Sequence, residues 1–311
     1  AYEATIDRTT SSTPTLASVV NKTANFRGGN NNTAWDGTYR SLLGLPATQT
    51  SLTNFRKYAR NRGEAGLNGC GWNCNLYAAQ VAMYWLFVIE YANRNCQAAY
   101  NAEPTSEGYK QGGLGDGVTT LNSTKWNAYN GYYPFVPCGF TNSLGNRSGV
   151  VEFTMPDEYD TGVVTKVNVP SYRGVENPFG HLWKWTDGCK CEIQSDTDGA
   201  LSKFYVCLDP SKFQDSSYND YDLRGELPRK EGYVKRMMVG EHGDIMPTEV
   251  GASSTTHFAD YFYTNIPASG AAMRGVLFGG NADNGAFAGL SYAFTNNTAS
   301  NTNANIGSQL Y

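Results

Sequence analysis

The sequence predicts an α+β fold with two helices early in the chain, then short antiparallel strands joined by long loops and insertions. Three observations carry this. Apolar residues recur at helical spacing in two stretches before residue 100. From about residue 104, short aromatic and β-branched runs alternate with Gly, Asn, Asp and Pro, as strands bounded by turns do. No stretch reads as a linker and no unit repeats at a fixed period, which favours one expanded domain.

The elements follow in order. Residues 1–45 read as an N-terminal arm that packs on the domain, with a short strand at 16–20 and a loop at 28–32. The domain proper then occupies 46–311. The first helix is expected at 51–61, where Ser51 is a suitable N-cap, Leu52, Phe55 and Ala59 share a face, and Gly63 stops it. Its Arg56, Lys57, Arg60 and Arg62 read as the solvated side of an amphipathic helix. The second helix is expected at 75–99. Its middle is apolar on all sides, which predicts a helix enclosed by neighbours, with Met83, Trp85 and Phe87 in the core. An insertion is expected near 102–147, and strands at 149–154, 162–169, 203–208 and 233–239.

Composition excludes several function classes. The 311 residues can hold a sizeable core. Charged residues make up 17% with a formal charge of −4, below the usual quarter. Asn, Ser, Thr, Gly and Tyr fill the gap, as they do on adaptable binding surfaces. The acidic balance gives no attraction for phosphates, so no nucleic-acid partner is expected. The longest apolar stretch, 76–92, contains Gln80 and Glu90 and is too short for a bilayer, so no membrane insertion is expected. Nothing at the start reads as a secretory signal.

The cysteine count is odd, at seven, and reads as reduced, mostly buried thiols. Local disulfides stay open if the protein lives outside cells. A four-thiolate zinc site from Cys70, Cys74, Cys189 and Cys191 would need C-x3-C and C-x-C pairs, which are not the usual zinc spacings.

Few residues read as catalytic. The histidines are His181, His242 and His257, and no metalloprotease or serine-hydrolase motif surrounds them. Glu241, His242 and Asp244 read as a surface turn rather than a metal site. The glycines at 112–117 lack the Lys-Ser/Thr of a phosphate loop. Asp157, Glu158 and Asp160 read as a solvated turn rather than a calcium site. The aromatic segment 170–188 reads as a core strand, with Trp183, Trp185 and His181 on one face, Leu182 and Lys184 on the other, and both indole N–H groups partnered. An exposed aromatic platform for a glycan is the alternative.

The C-terminal stretch 274–311 is the most unusual. Its charged residues are Arg274 and Asp283, and its Asn/Thr-rich composition would suit a disordered tail. Val276, Leu277, Phe278, Leu290, Ile306 and Leu310 argue otherwise, because they recur as buried anchors would. The reading is a strand at 274–280, a packed loop displaying chosen side chains, and a closing strand at 306–310.

The run Arg274-Gly275-Val276-Leu277-Phe278-Gly279-Gly280-Asn281-Ala282, followed by Asn305-Ile306-Gly307-Ser308-Gln309-Leu310, resembles the variable region of target proteins diversified by retroelements. The likeness is to those of phages and prophages of Bacteroides-type gut bacteria. Residues 176–181, 183–188, 55–56, 61–63 and 85–87 share it, so it covers most of the chain from about Phe26.

The resemblance implies a C-type-lectin-like fold of the formylglycine-generating-enzyme-like variety, with 274–311 as the variable region and binding face. Diversification in that family acts on template adenines, so Asn codons are the positions rewritten. Asp283, Phe287 and Phe294 then stand where Asn is expected, and Tyr292 is a further candidate. Asn281, Asn296, Asn297, Asn301 and Asn303 retain the template residue, and Val276 to Gly280, Ile306 and Gly307 are scaffold. These nine displayed side chains are the expected ligand-binding set.

The function implied is adhesion, with no catalysis, cofactor or metal. The partners would be a bacterial surface receptor, protein or glycan, and other virion tail proteins. The location would be the tail tip of a virion, where a homotrimer would add avidity. A bacterial cell-surface adhesin with the same domain is the alternative. Formylglycine-generating oxidases share the fold superfamily but need a cysteine pair near the C-terminus, and no cysteine follows Cys207. Calcium-dependent lectins use a Glu-Pro-Asn triplet, whereas Glu176-Asn177-Pro178 has another order.

Overall fold

A computed structural model describes residues 1–7, 13–20, 46–63, 70–99, 136–154, 166–256, 258, 260–303 and 305–311. The loops at 28–32 and 112–117, the triplet Asp157, Glu158 and Asp160, His257, and most of the expected insertion lie outside them. The described chain is α+β: mostly sheet, with two α-helices.

Helix α1 (Leu52–Arg60) starts where Ser51 accepts a hydrogen bond from the Asn54 N–H, satisfying one orphan amide of the first turn. Leu52, Phe55 and Ala59 are buried together with Tyr58. Arg56 departs from the solvated face expected of it. It is 7% exposed and donates to Asp187 at 2.6 and 2.9 Å and to Asp215 at 2.8 and 2.9 Å. Two carboxylates far along the chain make burial of this cation tolerable.

Helix α2 (Tyr77–Tyr91) is shorter than expected. Ala92 closes it in a left-handed conformation, φ 48°, and a separate 3-10 turn follows at Cys96–Ala99. Met83 and Phe87 are buried and Trp85 half-buried, but Leu86 is 45% and Ile89 76% exposed. The apolar helix is thus covered on one face among the described residues, because a sheet can meet only one side of it. No described helix is long and apolar enough to cross a membrane.

Strands β1 (Thr5–Asp7) and β2 (Thr15–Ala17) form an antiparallel pair. Strands β3 (Gly149–Thr154), β4 (Lys166–Tyr172) and β5 (Val175–Glu176) form a second small sheet. The main sheet has nine strands. They are β6 (Trp183–Gln194), β7 (Ser202–Val206), β8 (Asp222–Glu226), β9 (Gly232–Met237), β10 (Pro247–Val250), β11 (Tyr261–Tyr263), β12 (Ala271–Gly279), β13 (Gly289–Phe294) and β14 (Ile306–Gly307). Their order is β10-β9-β11-β13-β12-β6-β7-β8, with β14 on β6. Pairing is not wholly antiparallel as expected: β11 runs parallel to β13 and β14 parallel to β6. Both pairs join strands whose connections cross over rather than turn back.

The central strands are buried on both faces. On one side α2 packs Tyr77, Tyr84 and Phe87 against Phe204, Phe262, Val276, Phe278 and Leu290. On the other, α1 and the arm bring Ile6, Leu16 and Phe55 against Trp183, Trp185, Leu277, Tyr292 and Ile306. Strand β12 alternates between them, Leu277 to one side and its neighbours to the other, as a pleated strand must. Trp183 and Trp185 are core, 5% and 0% exposed, yet Trp185 Nε1 finds no hydrogen-bond partner among the described residues.

The arm is pinned by charge. Glu3 is buried with Lys184 Nζ at 3.4 Å and His181 Nδ1 at 3.8 Å. Burial pushes both basic groups down, and Glu3 opposes that shift in each. His181 and Lys184 therefore meet at one carboxylate instead of facing apart. The strand starts only at Trp183, and Gly180 turns the chain before it at φ 80°.

All seven cysteines are free and buried. Cys74 packs on the α1 side, and Cys189 and Cys191 on the α2 side, so a shared four-thiolate site does not form.

Candidate ligand-binding face

The anchors expected in the C-terminal stretch are buried: Val276, Leu277, Phe278, Leu290, Ile306 and Leu310. Strand β12 ends at Gly279 and Gly280, with φ 98° and 76°. A Cβ on Gly280 would lie 2.9 Å from the Tyr292 ring and 3.1 Å from Ala288 Cβ, so only glycine fits this turn. A 3-10 stretch, Ala282–Phe287, follows. Asn284 Oδ1 accepts from the Asn281 N–H at 2.7 Å and closes its start.

This chain path sets down a continuous run of rings. Phe287 lies 4.3 Å from Tyr261 and 5.5 Å from Tyr233 between ring centroids. Tyr261 meets Tyr292 edge-on at 5.9 Å, and Tyr292 meets Trp183 at 4.5 Å. Phe294 lies 5.4 Å from Trp183 and stacks on Tyr263 at 4.7 Å with the planes 9° apart. Trp183 and Tyr292 form the buried underside. Phe287 is 39% exposed, and Tyr233, Tyr261, Tyr263 and Phe294 are half-buried. The result is an aromatic ledge on strands β9, β11 and β13.

Burial raises the Tyr261 phenol, and Glu231 and Tyr263 add to that rise, so its hydroxyl stays a donor at neutral pH. Beneath the ledge, Asp260 accepts from Ser291 N–H at 2.8 Å and Ser291 Oγ at 2.6 Å, tying β11 to β13. Burial pushes its carboxyl up to about 7.

The expected binding residues divide into groups. Phe287 and Phe294 belong to the ledge. Tyr292 lies under it at 4% exposure, and Asn281, also 4% exposed, is folded inward at the turn. The Asp283 side chain lies outside the described residues. The four remaining asparagines sit on the loop after β13. Asn296 and Asn297 are half-buried, whereas Asn301 and Asn303 are exposed. Asn301 Oδ1 accepts from Thr298 N–H and Oγ1, both at 2.8 Å, which braces the loop tip.

That loop is clamped through its own carbonyls. Asn297 O accepts from Gly275 N–H at 2.9 Å, and Ala299 O from Leu52 N–H at 3.0 Å. Asn303 O accepts from Gln49 N–H and Asn305 O from Trp183 N–H, each at 3.0 Å.

Sequence reasoning missed Tyr233, Tyr261 and Tyr263. The signal was the alternation Tyr261-Phe262-Tyr263, in which Phe262 is fully buried and its neighbours face the other side.

Other candidates resolve as structural. Asp244 turns inward to accept from Tyr77 Oη at 2.9 Å, away from the exposed Glu241–His242 contact at 3.1 Å. Glu176 accepts from Gly139 N–H, Thr141 N–H and Thr141 Oγ1 at 2.7–2.8 Å, and burial pushes its carboxyl up to about 7. Among the described residues no group of three His, Cys, Asp or Glu is placed to hold a metal ion.

A ledge of rings over a sheet, beside a loop of amide and hydroxyl side chains, offers apolar contact area next to hydrogen-bonding groups. Compared with family models and with curated proteins, the chain matches none.

Proposed function

We propose that this chain is a receptor-binding protein whose C-terminal face, 274–311, contacts a molecule on a bacterial surface. In this reading the domain is C-type-lectin-like, of the formylglycine-generating-enzyme-like variety. It is carried at a phage tail tip among other tail proteins, as a homotrimer, and its face is diversified by a retroelement. It is a binding protein and not an enzyme.

The observation that carries the reading is the division of labour in 274–311. Apolar anchors and loop carbonyls attach to the scaffold, while Phe287, Asn301 and Asn303 are turned outward. A face built so can change its displayed side chains and keep its frame.

The test replaces Phe287 and Asn301 with alanine together. Adhesion to the cognate cell should be lost while the melting temperature stays within a few degrees of the parent. Full adhesion in this variant would overturn the proposal. A near-identical DNA repeat beside the gene, differing only at adenines, is the expected genetic counterpart.

A further inference from the structure

A cleft of about 290 Å³ opens between α1 and the loop that follows β13. Leu52 and Met273 give it apolar walls, and Thr53, Asp215, Thr298 and Ser300 give it a polar rim. Thr298 is four residues beyond Phe294, so the two lie within about 14 Å even if the chain between them is fully extended.

Most of the charge in this cleft is already engaged within the fold. Arg56 is held between Asp187 and Asp215. Lys190 Nζ donates to Gln214 O at 2.6 Å and Ser217 O at 2.8 Å and faces the Tyr221 ring at 3.7 Å. Arg274 lines the cleft as well, and its guanidinium has no ion pair among the described residues, so it is open to an oxygen of a ligand.

The rim adds unspent hydrogen-bonding capacity. Asp215 accepts from Arg56 on both oxygens and from Thr53 Oγ1 at 2.9 Å. A carboxylate has about four lone-pair positions, so one is left on a side chain that is 23% exposed. The Thr53 hydroxyl has spent its proton on Asp215 and keeps its lone pairs. Ser300 Oγ lies 2.9 Å from Thr298 Oγ1, which donates to Asn301 Oδ1. Ser300 Oγ also keeps acceptor capacity. Several acceptors around apolar walls match a ligand with several hydroxyl donors on a carbon frame. The volume sits at the lower end of small-molecule pockets, which start at about 300 Å³, and suits one ring rather than a folded peptide loop.

We propose that this cleft is a subsite for one sugar residue of a glycan whose remaining residues lie along the aromatic ledge. The proposal rests on the receptor-binding reading above and narrows its ligand to a glycan.

The test titrates the full chain with free glucose, galactose, mannose, N-acetylglucosamine and glucuronic acid by saturation-transfer NMR and calorimetry, alongside adhesion to the cognate cell. At least one sugar should bind. Thr53→Val and Ser300→Val, with melting temperatures checked against the parent, should each weaken it about fivefold, the effect of one lost hydrogen bond. Phe287→Ala should leave monosaccharide binding intact while lowering adhesion. Binding of none of these sugars overturns the subsite, and so does binding that both cleft variants leave unchanged. If sugar binding behaves as expected but Phe287→Ala adheres like the parent, the receptor-binding reading of the ledge fails and the cleft stands alone.

Discussion

Asp260→Asn is the most direct probe of the frame under the ledge. The Asp260 carboxyl titrates at about 7 in the folded chain because burial disfavours its charge, against an ordinary value of 3.8. Between those values the native state keeps a proton that the unfolded chain has released. Its contribution is therefore largest at low pH and is lost as pH rises through the window. One pH unit is worth about 1.4 kcal/mol and the slope halves as pH reaches the folded value, so the rise from pH 5 to 7 removes about 2 kcal/mol. Asparagine is neutral throughout and its side-chain oxygen can accept from Ser291 N–H and Oγ as the carboxyl does. The stability of Asp260→Asn relative to the parent should thus climb by about 2 kcal/mol between pH 5 and 7 and level off near pH 8. His181 works in the opposite sense. Burial holds it below its ordinary 6.5, so it loses stability as pH falls. Both proteins share His181 and Glu176, so their contributions cancel in the difference. Urea unfolding at constant ionic strength from pH 5 to 8 measures it. A difference that stays flat across the series would refute a buried carboxyl that titrates near neutrality.

Other perturbations follow from the same contacts. Tyr292→Ala, at 4% exposure, should cost about 3–5 kcal/mol in thermal or urea unfolding, whereas Phe287→Ala should cost well under half of that. Equal losses would place Phe287 in the core. Arg56→Met strands the buried Asp187 and should cost about 3–5 kcal/mol by urea unfolding. A neutral result would mean that the pair is solvated. Gly275→Ala puts a methyl 2.8 Å from the Trp185 ring and should cost about 1–3 kcal/mol, with a change in near-ultraviolet dichroism from the displaced indole.

How much could be read beforehand depended on the range of the interactions. Helix α1, its Ser51 cap and its buried face are local facts and were legible. So were the C-terminal anchors, because Val276, Leu277, Phe278, Leu290, Ile306 and Leu310 stand out against a polar background. The fate of Arg56 was not, since Asp187 and Asp215 lie more than a hundred residues away. The exposed side of α2 was equally hidden: composition says that a helix is apolar, not how many neighbours it has. Within the candidate face, residue type ran ahead of geometry. Phe287 and Phe294 were found, Tyr292 and Asn281 fold inward, and the rings of β9 and β11 come from outside the stretch that drew attention.

The clamp on the loop after β13 has a consequence for how this chain can evolve. At Asn297, Ala299, Asn303 and Asn305 the loop supplies a carbonyl oxygen, while Gly275, Leu52, Gln49 and Trp183 supply the N–H groups. A carbonyl belongs to every amino acid, proline included, whereas the donors sit in segments that packing already constrains. The attachment is therefore blind to the letters written in the loop. Codons there can change without editing the points that hold the segment to the scaffold, apart from Asn301, whose side chain braces the tip, and a library randomised at Asn296, Asn297 and Asn303 should contain few unfolded members.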